Sequence, residues 1–228
     1  MIFYLNGAEH TAASKAATPF VFAKDDHRFV FMGNAPHPDN LPAGFGRQLN
    51  MALKSTIINH AVPYASNERI IRTTKAYLEP KSEQEIFVMI LWAPFDRTEW
   101  HIDDRYYQVS TTLDPDIPKA LNKTYKKFKT GYNEMVAQKT WHHNIWNFHK
   151  ELDERGIKHL FAMESTPFTE LKRKHKWGDN FINPYTDETT FVGICGADIN
   201  ANGDGFFNAK GHTGFMRYVI PSCVKILT

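Results

Sequence analysis

Residues 86–92 read Ile-Phe-Val-Met-Ile-Leu-Trp, seven apolar side chains in unbroken succession. A continuous apolar run of this length predicts a strand that is covered on both faces, as the strands of a parallel sheet are. The chain then turns polar between Asp96 and Trp100. The run therefore predicts a parallel sheet with a loop of mixed polarity at the carboxyl end of this strand.

Three shorter strands and four helices alternate around this run. The strands are expected at Ile2–Leu5, Thr56–Ile58 and Lys158–Met163. The helices are expected over Arg47–Lys54, from the Ser66 cap to Pro80, across residues 119–155, and over Ala209–Ile220 before Pro221. Alternating strands and helices predict a three-layer α/β/α sandwich with a mostly parallel, flavodoxin-like sheet, and we expect one domain over residues 1–228.

Composition narrows the function classes. The 228 residues carry a formal charge of +2 with 42% hydrophobic side chains, so a disordered chain and a general nucleic-acid-binding surface are not expected. The basic runs Lys123–Lys129 and Lys172–Lys176 are interpreted as solvated surface. The two cysteines, Cys195 and Cys223, lack a metal-ligand spacing, which indicates free thiols in a reducing compartment.

The termini and the apolar runs bear on location. The apolar run that starts at Ile2 is too short for a signal peptide, and no stretch approaches the roughly 18 residues of a membrane span. We expect no membrane association and a protein that stays in the cytoplasm of the cell that makes it.

The carboxyl ends of parallel strands meet at one edge of a sheet, and ligands bind in the crevice there. This rule brings together Asn6–Thr11, Tyr64–Asn67, Trp92–Trp100 and the loop before the last helix. The candidate site residues in that crevice are Gly7, Glu9, His10, Ser66, Asn67, Trp92, Arg97 and Phe206.

The same segments carry a resemblance to a known family. The supporting stretches are FYLNGAEHTAAS at 3–14, ATPFVFAKDDHRFVF at 17–31, ASNERIIRTT at 65–74, MILWAPFDRTEW at 89–100 and FFNAKGH at 206–212. They make the chain similar to the SGNH (GDSL-type) hydrolase superfamily, in the form found in small proteins of tailed phages of marine cyanobacteria. The resemblance covers most of the chain and implies the three-layer fold and a site at the strand ends.

The resemblance also implies a catalytic serine and histidine, and both positions are altered here. The family's first strand ends in a Gly-x-Ser turn, where this chain has Gly7-Ala8-Glu9, so Glu9 stands at the serine position. The family's histidine before the last helix corresponds to Phe206, and Gly203 stands where its aspartate is expected. Losing both members of such a pair costs about 10⁶-fold in rate in comparable triads. Asn67 matches an oxyanion-side residue of the family.

Two hypotheses follow from this pattern. In the first, the chain is a catalytically degenerate hydrolase fold that binds a sugar or acyl ligand, or a phage or host protein, in an infected bacterium or in the virion. In the second, it is an ester or carbohydrate-ester hydrolase with a relocated nucleophile, drawn from Ser14 and Ser66, or with a bound cation. Glu9, His10 and His212 would supply its acid–base groups. The competing interpretations are an ion pair for Glu9 and a structural role for His212.

Two patterns bear on metal binding. Asp198, Asn200, Asn202 and Asp204 offer oxygens at alternate positions like a calcium loop, but Ala209 stands where a bidentate carboxylate is needed, so an Asx/Gly turn cluster is the alternative. His142, His143 and His149 lie on one predicted helix without the spacing of three or four that paired ligands need. No cofactor is expected to be required, and calcium is the exception left open.

Overall fold

The computed structural model describes residues 1–18, 38–80, 85–112, 117–171, 174–196 and 206–228. Four strands form one parallel sheet, with bounds β1 Ile2–Asn6, β2 Thr56–Asn59, β3 Ile86–Trp92 and β6 Lys158–Met163. Their order across the sheet is β2-β1-β3-β6. All four predicted strands are confirmed, and so is the α/β fold class.

The apolar run at 86–92 is buried over its whole length, as its pattern predicts. β3 pairs with β1 on one side and with β6 on the other, so both of its edges are hydrogen-bonded. Its alternate side chains enter two separate cores, one on each face of the sheet. A strand in this position has no solvated face, which is why its sequence shows no alternation.

Helices cover the two faces of the sheet. On one face, α2 (Asn67–Leu78) and α4 (Glu134–Glu154) bury Ile70 and the predicted stripe of Trp141, Ile145, Phe148 and Leu152. On the other, α1 (Phe45–Leu53), α5 (Phe191–Cys195) and α6 (Ala209–Leu227) pack Leu49, Phe191 and Phe215 against the sheet. The result is the expected three-layer sandwich, and each layer rests on burial of an amphipathic helix face.

The helix bounds differ from prediction at three places. The last helix begins at Ala209 as expected but continues past Pro221 to Leu227, because its buried Val219 and Cys223 hold it on the sheet on both sides of the proline. The 119–155 segment divides into a short 3₁₀ turn, α3 (Asn122–Gly131) and α4, since Asn133 caps a new helix. The helix predicted at Arg47 begins two residues earlier, at Phe45.

A β-hairpin follows β3 and is missing from the prediction. β4 (Arg97–Ile102) pairs antiparallel with β5 (Arg105–Ser110) outside the parallel sheet. Asp103 and Asp104 form its two-residue turn with positive φ angles of 47° and 61°. Aspartate tolerates this backbone region better than most residues, which lets two aspartates form the turn without a glycine.

Both cysteines are free, as predicted, and the structure shows that both are buried, which raises the pKa of each thiol to about 12. Within the described residues, no helix is long and apolar enough to cross a membrane.

Candidate functional site at the carboxyl edge of the sheet

The turn after β1 starts the site. A side chain at Gly7 would approach the Leu91 carbonyl oxygen within 2.8 Å, so only glycine lets the chain pass β3 this closely. The backbone then coils into a short turn, in which the Ala12 and Ser14 N–H groups donate to the carbonyls of Ala8 and Glu9, both at 2.9 Å. This turn presents residues 9 and 10 at the carboxyl edge of the sheet.

Glu9 is held by an ion pair with Arg97, the first residue of β4. Two guanidinium nitrogens donate to the two carboxylate oxygens at 2.6 and 2.7 Å, and the Tyr64 N–H donates to Glu9 Oε2 at 3.1 Å. The Glu9 side chain is 12% exposed and the Arg97 side chain is 9% exposed. Burial by itself raises the pKa of the Glu9 carboxyl, but the Arg97 charge outweighs it and lowers this pKa to about 2. Glu9 is therefore ionised and paired throughout the neutral range.

A second carboxyl group lies in the same cluster. Glu164 follows β6, is 1% exposed, and accepts the His10 backbone N–H at 3.2 Å through Oε1. Burial and the negative charge of Glu9 raise the pKa of Glu164 well above its ordinary value. One site thus holds two glutamates whose pKa values are shifted in opposite directions, downward for Glu9 and upward for Glu164. Sequence analysis missed Glu164, whose only signal is its position directly after a predicted strand.

The His10 ring lies in an aromatic setting. It stacks on Phe191 with 4.7 Å between ring centroids and meets the edges of Phe206 and Phe207. Burial lowers its pKa to about 4, so the ring is neutral at pH 7. Its Nδ1 is buried without a hydrogen-bond partner among the described residues.

Phe206 is 8% exposed and lies within this group of rings. The Lys15 ammonium lies 4.7 Å above its centroid. A phenyl ring here offers a cation and an imidazole an aromatic surface, but it cannot take a proton.

Asn67 and Ser66 lie at the start of α2, and both side chains are hydrogen-bonded to the backbone. Asn67 donates to the Ala93 carbonyl at 3.0 Å and accepts the Ala93 N–H at 2.9 Å, which fastens α2 to the end of β3. Ser66 Oγ accepts the Arg69 N–H as the predicted helix cap. In this arrangement neither the amide nor the hydroxyl is directed at a ligand.

Trp92 and His212, two further candidate residues, are both held inside the protein. The Trp92 ring is fully buried against Phe148 and Phe161, so the expectation that it lines the crevice is wrong: the last residue of β3 points into the core. His212 accepts the Phe45 N–H through Nδ1 at 3.3 Å, which leaves the proton on Nε2. His212 thus lacks a free lone pair for a base. The calcium pattern of Asp198, Asn200, Asn202 and Asp204 lies outside the described residues.

The nucleophile candidates differ in availability. Ser14 Oγ and Thr11 Oγ1 are buried without hydrogen-bond partners among the described residues, whereas the Ser66 hydroxyl is committed to its helix. A serine nucleophile needs a base within hydrogen-bond reach, and the Ser14 hydroxyl has none in this arrangement. Among the described residues, the site around residues 7–14 therefore contains a buried ion pair, a second buried carboxyl group and aromatic rings, without an assembled nucleophile–base pair.

The comparisons with known proteins leave the family open. No protein-family model and no curated protein matches the chain. Among solved structures, the chain is similar to a crystal structure of the psychrotrophic esterase EstA from Pseudoalteromonas sp.. In that structure the esterase is inhibited by monoethylphosphonate. The similarity covers 99% of this chain and 98% of the esterase chain, with 13% identity and a TM-score of 0.48.

Proposed function

We propose that the chain is a catalytically degenerate SGNH-type hydrolase fold that serves as a binding or interaction module. The observation that carries this proposal is the bidentate pair of Glu9 and Arg97 at the position where the resembled family has its serine. A carboxylate whose pKa is about 2 is a weak base, and its oxygens are already bound to a guanidinium group. Phe206, at the position of the base, cannot accept a proton.

The aromatic and polar side chains at this edge of the sheet are of the kind that bind a ligand. The rings of Phe206 and Phe207 pack beside His10, and the buried Glu164 carboxyl group, whose pKa is raised, lies in the same cluster. Rings with a few polar groups among them suit a sugar face or an acyl chain. The resemblance adds a phage or host protein as the partner, with the infected cell or the virion as the location.

A relocated nucleophile is the second candidate function, and one observation favours it. Ser14 Oγ and His10 Nδ1 lie on the same turn, are both buried, and both lack a partner among the described residues. A movement that joined them would make a Ser–His pair beside the Glu164 carboxyl group. The reaction would then be hydrolysis of an ester or an acetylated sugar.

One experiment separates the two. The purified chain is incubated with short-chain p-nitrophenyl esters and acetylated sugars, next to Ser14→Ala, Glu9→Ala and the surface control Glu79→Ala, and with a fluorophosphonate probe that labels activated serines. We expect no turnover above background and no labelling in any of the proteins. Turnover or labelling that disappears in Ser14→Ala and persists in Glu79→Ala would establish the hydrolase instead.

A further inference from the structure

Two buried histidines and an exposed aspartate meet where the last turns of α4 face the start of β6. His149 and Asp153 lie four residues apart on α4, so they share one face of the helix, and His159 is the second residue of β6. One ligand atom from each side chain lies within 4.8 Å of the other two. This cluster lies at the amino-terminal end of β6, away from the crevice, and the inference from it is independent of the proposed function.

The hydrogen bonds of the cluster fix the protons on its rings. His159 Nδ1 lies 2.8 Å from the Ile157 carbonyl oxygen, which can only accept, so Nδ1 carries the proton. His159 Nε2 is then an acceptor, and His149 Nδ1, 2.7 Å away, must donate to it. His149 Nε2 keeps its lone pair.

That lone pair faces a carboxylate. His149 Nε2 lies 3.7 Å from Asp153 Oδ2, so two electron-pair donors face each other without a proton between them. Such a pair can be joined by a proton on the imidazole, by a water molecule that donates to both groups, or by a metal ion that both groups ligate. A separation of 3.7 Å is longer than a hydrogen bond and close to the distance between two ligands of one metal ion.

We infer that His149, Asp153 and His159 bind a divalent transition-metal ion, and that zinc suits the set best. Imidazole and carboxylate ligands suit zinc, and three protein ligands leave a fourth position for water or for an outside ligand. The hydrogen bond from His159 Nδ1 to Ile157 is the kind of outer contact that orients a ligating imidazole.

Metal binding requires the two histidine rings to reorient. Two nitrogens on a tetrahedral zinc ion, each about 2.0–2.1 Å from it, lie about 3.3 Å apart. The free lone pair of His149 is on Nε2, whereas the 2.7 Å contact to His159 Nε2 comes from the protonated Nδ1. Ligation by both rings through Nε2 therefore breaks this hydrogen bond, and the ion takes the place of the donor at His159 Nε2. The ring centroids of Trp146 and Trp177 lie 5.0 and 5.7 Å from that of His149. Their fluorescence should therefore change when a metal ion binds.

The test is a metal titration of the full chain, without an affinity tag and after treatment with a chelator. Zinc is followed by calorimetry, and cobalt is followed by its visible absorption and by quenching of tryptophan fluorescence. We expect one ion per chain, cobalt bands typical of tetrahedral nitrogen and oxygen ligation, and competition between the two metals.

Asp153 allows a variant that leaves the core intact, because its side chain is 59% exposed. We expect Asp153→Asn, which removes the charge of a ligand, to weaken zinc binding by at least the roughly 10- to 100-fold seen when the hydrogen-bond partners of metal ligands are removed. The matched controls are Glu154→Gln, the neighbouring exposed carboxylate, and His143→Gln, an exposed histidine on the same helix, and both should bind zinc as the unmodified chain does.

His149→Gln completes the set, with circular dichroism as the check on folding. If this variant does not fold, Asp153→Asn and its controls decide the question alone. No binding by the unmodified chain, or equal weakening in Asp153→Asn and Glu154→Gln, would overturn the inference and leave His149 and Asp153 as a plain ion pair.

Discussion

Glu9 and Arg97 are 88 residues apart in sequence and share two hydrogen bonds of 2.6 and 2.7 Å in the fold. Glu9 follows β1 and Arg97 opens the hairpin after β3, so the pair spans the two central strands at their carboxyl ends. Strand order changes direction at this point, where sheets of this type place their ligands. In this protein an internal ion pair lies there.

Breaking this pair from one side should be costly. Arg97→Met leaves the Glu9 carboxylate in a nearly buried place without its cation, and removing one partner of a buried pair costs about 3–5 kcal/mol. Urea denaturation measures the loss, with the exposed Arg105→Met on the same hairpin as control. If the double variant with Glu9→Gln is as unstable as Arg97→Met, the pair does not carry the effect.

Glu164→Gln should stabilise the chain at neutral pH. The pKa of Glu164 is raised in the folded state, so between its unfolded pKa and its folded pKa the folded chain holds a proton that the unfolded chain has lost. Stability then falls as pH rises through this window. Glutamine keeps the oxygen that accepts the His10 N–H and removes the titration. Denaturation curves measured from acid to neutral pH should diverge toward high pH; parallel curves would contradict the assignment.

The low pKa of His10 should make the folded chain less stable in mild acid. Its folded pKa of about 4 lies below the ordinary histidine value of about 6.5, so the unfolded chain binds the extra proton first as pH falls. Stability should drop by about 1.4 kcal/mol per pH unit between these two values on account of this group alone. His10→Phe keeps the stack on Phe191 and should flatten the slope by that amount; an unchanged slope would assign the loss to other groups.

The two hydrogen bonds between the Asn67 side chain and the Ala93 backbone are predicted to stabilise the fold. Asn67→Ala leaves the Ala93 N–H and carbonyl buried without partners, which costs about 1–3 kcal/mol for a buried unsatisfied group. Asn67→Asp keeps an acceptor for the Ala93 N–H, and its carboxyl group can also donate to the Ala93 carbonyl once protonated, so its loss should be smaller in mild acid. Thermal unfolding ranks the variants, and equal stability of Asn67→Ala and the unmodified chain would show that these hydrogen bonds are not needed.

The local pattern of the chain was enough to predict the sheet and most helices. The run at 86–92 indicates a strand buried on both faces, and Ser66 marks the first turn of α2, because burial and capping leave their signature in a few adjacent residues. The hairpin of β4 and β5 was missed, since its side chains show no regular alternation and its turn is Asp103-Asp104 rather than a turn with glycine.

The candidate site was predictable only in part. Strand order places Glu9, His10 and Arg97 at one edge of the sheet, and sequence analysis identified all three. Glu164 and His159 gave no such signal, because each lies at an end of β6 next to another polar residue, where polar side chains are ordinary. Their importance comes from groups distant in sequence, namely Glu9 and His149.

The sequence by itself therefore determined the layers of this protein, through apolar periodicity, and it identified Glu9 and Phe206 as candidate site residues. Only the tertiary structure decided what the polar residues do. Whether Glu9 is a base or half of an ion pair depends on a guanidinium group 88 residues away. Charge interactions act through space at a few ångströms, and a linear sequence does not contain those distances.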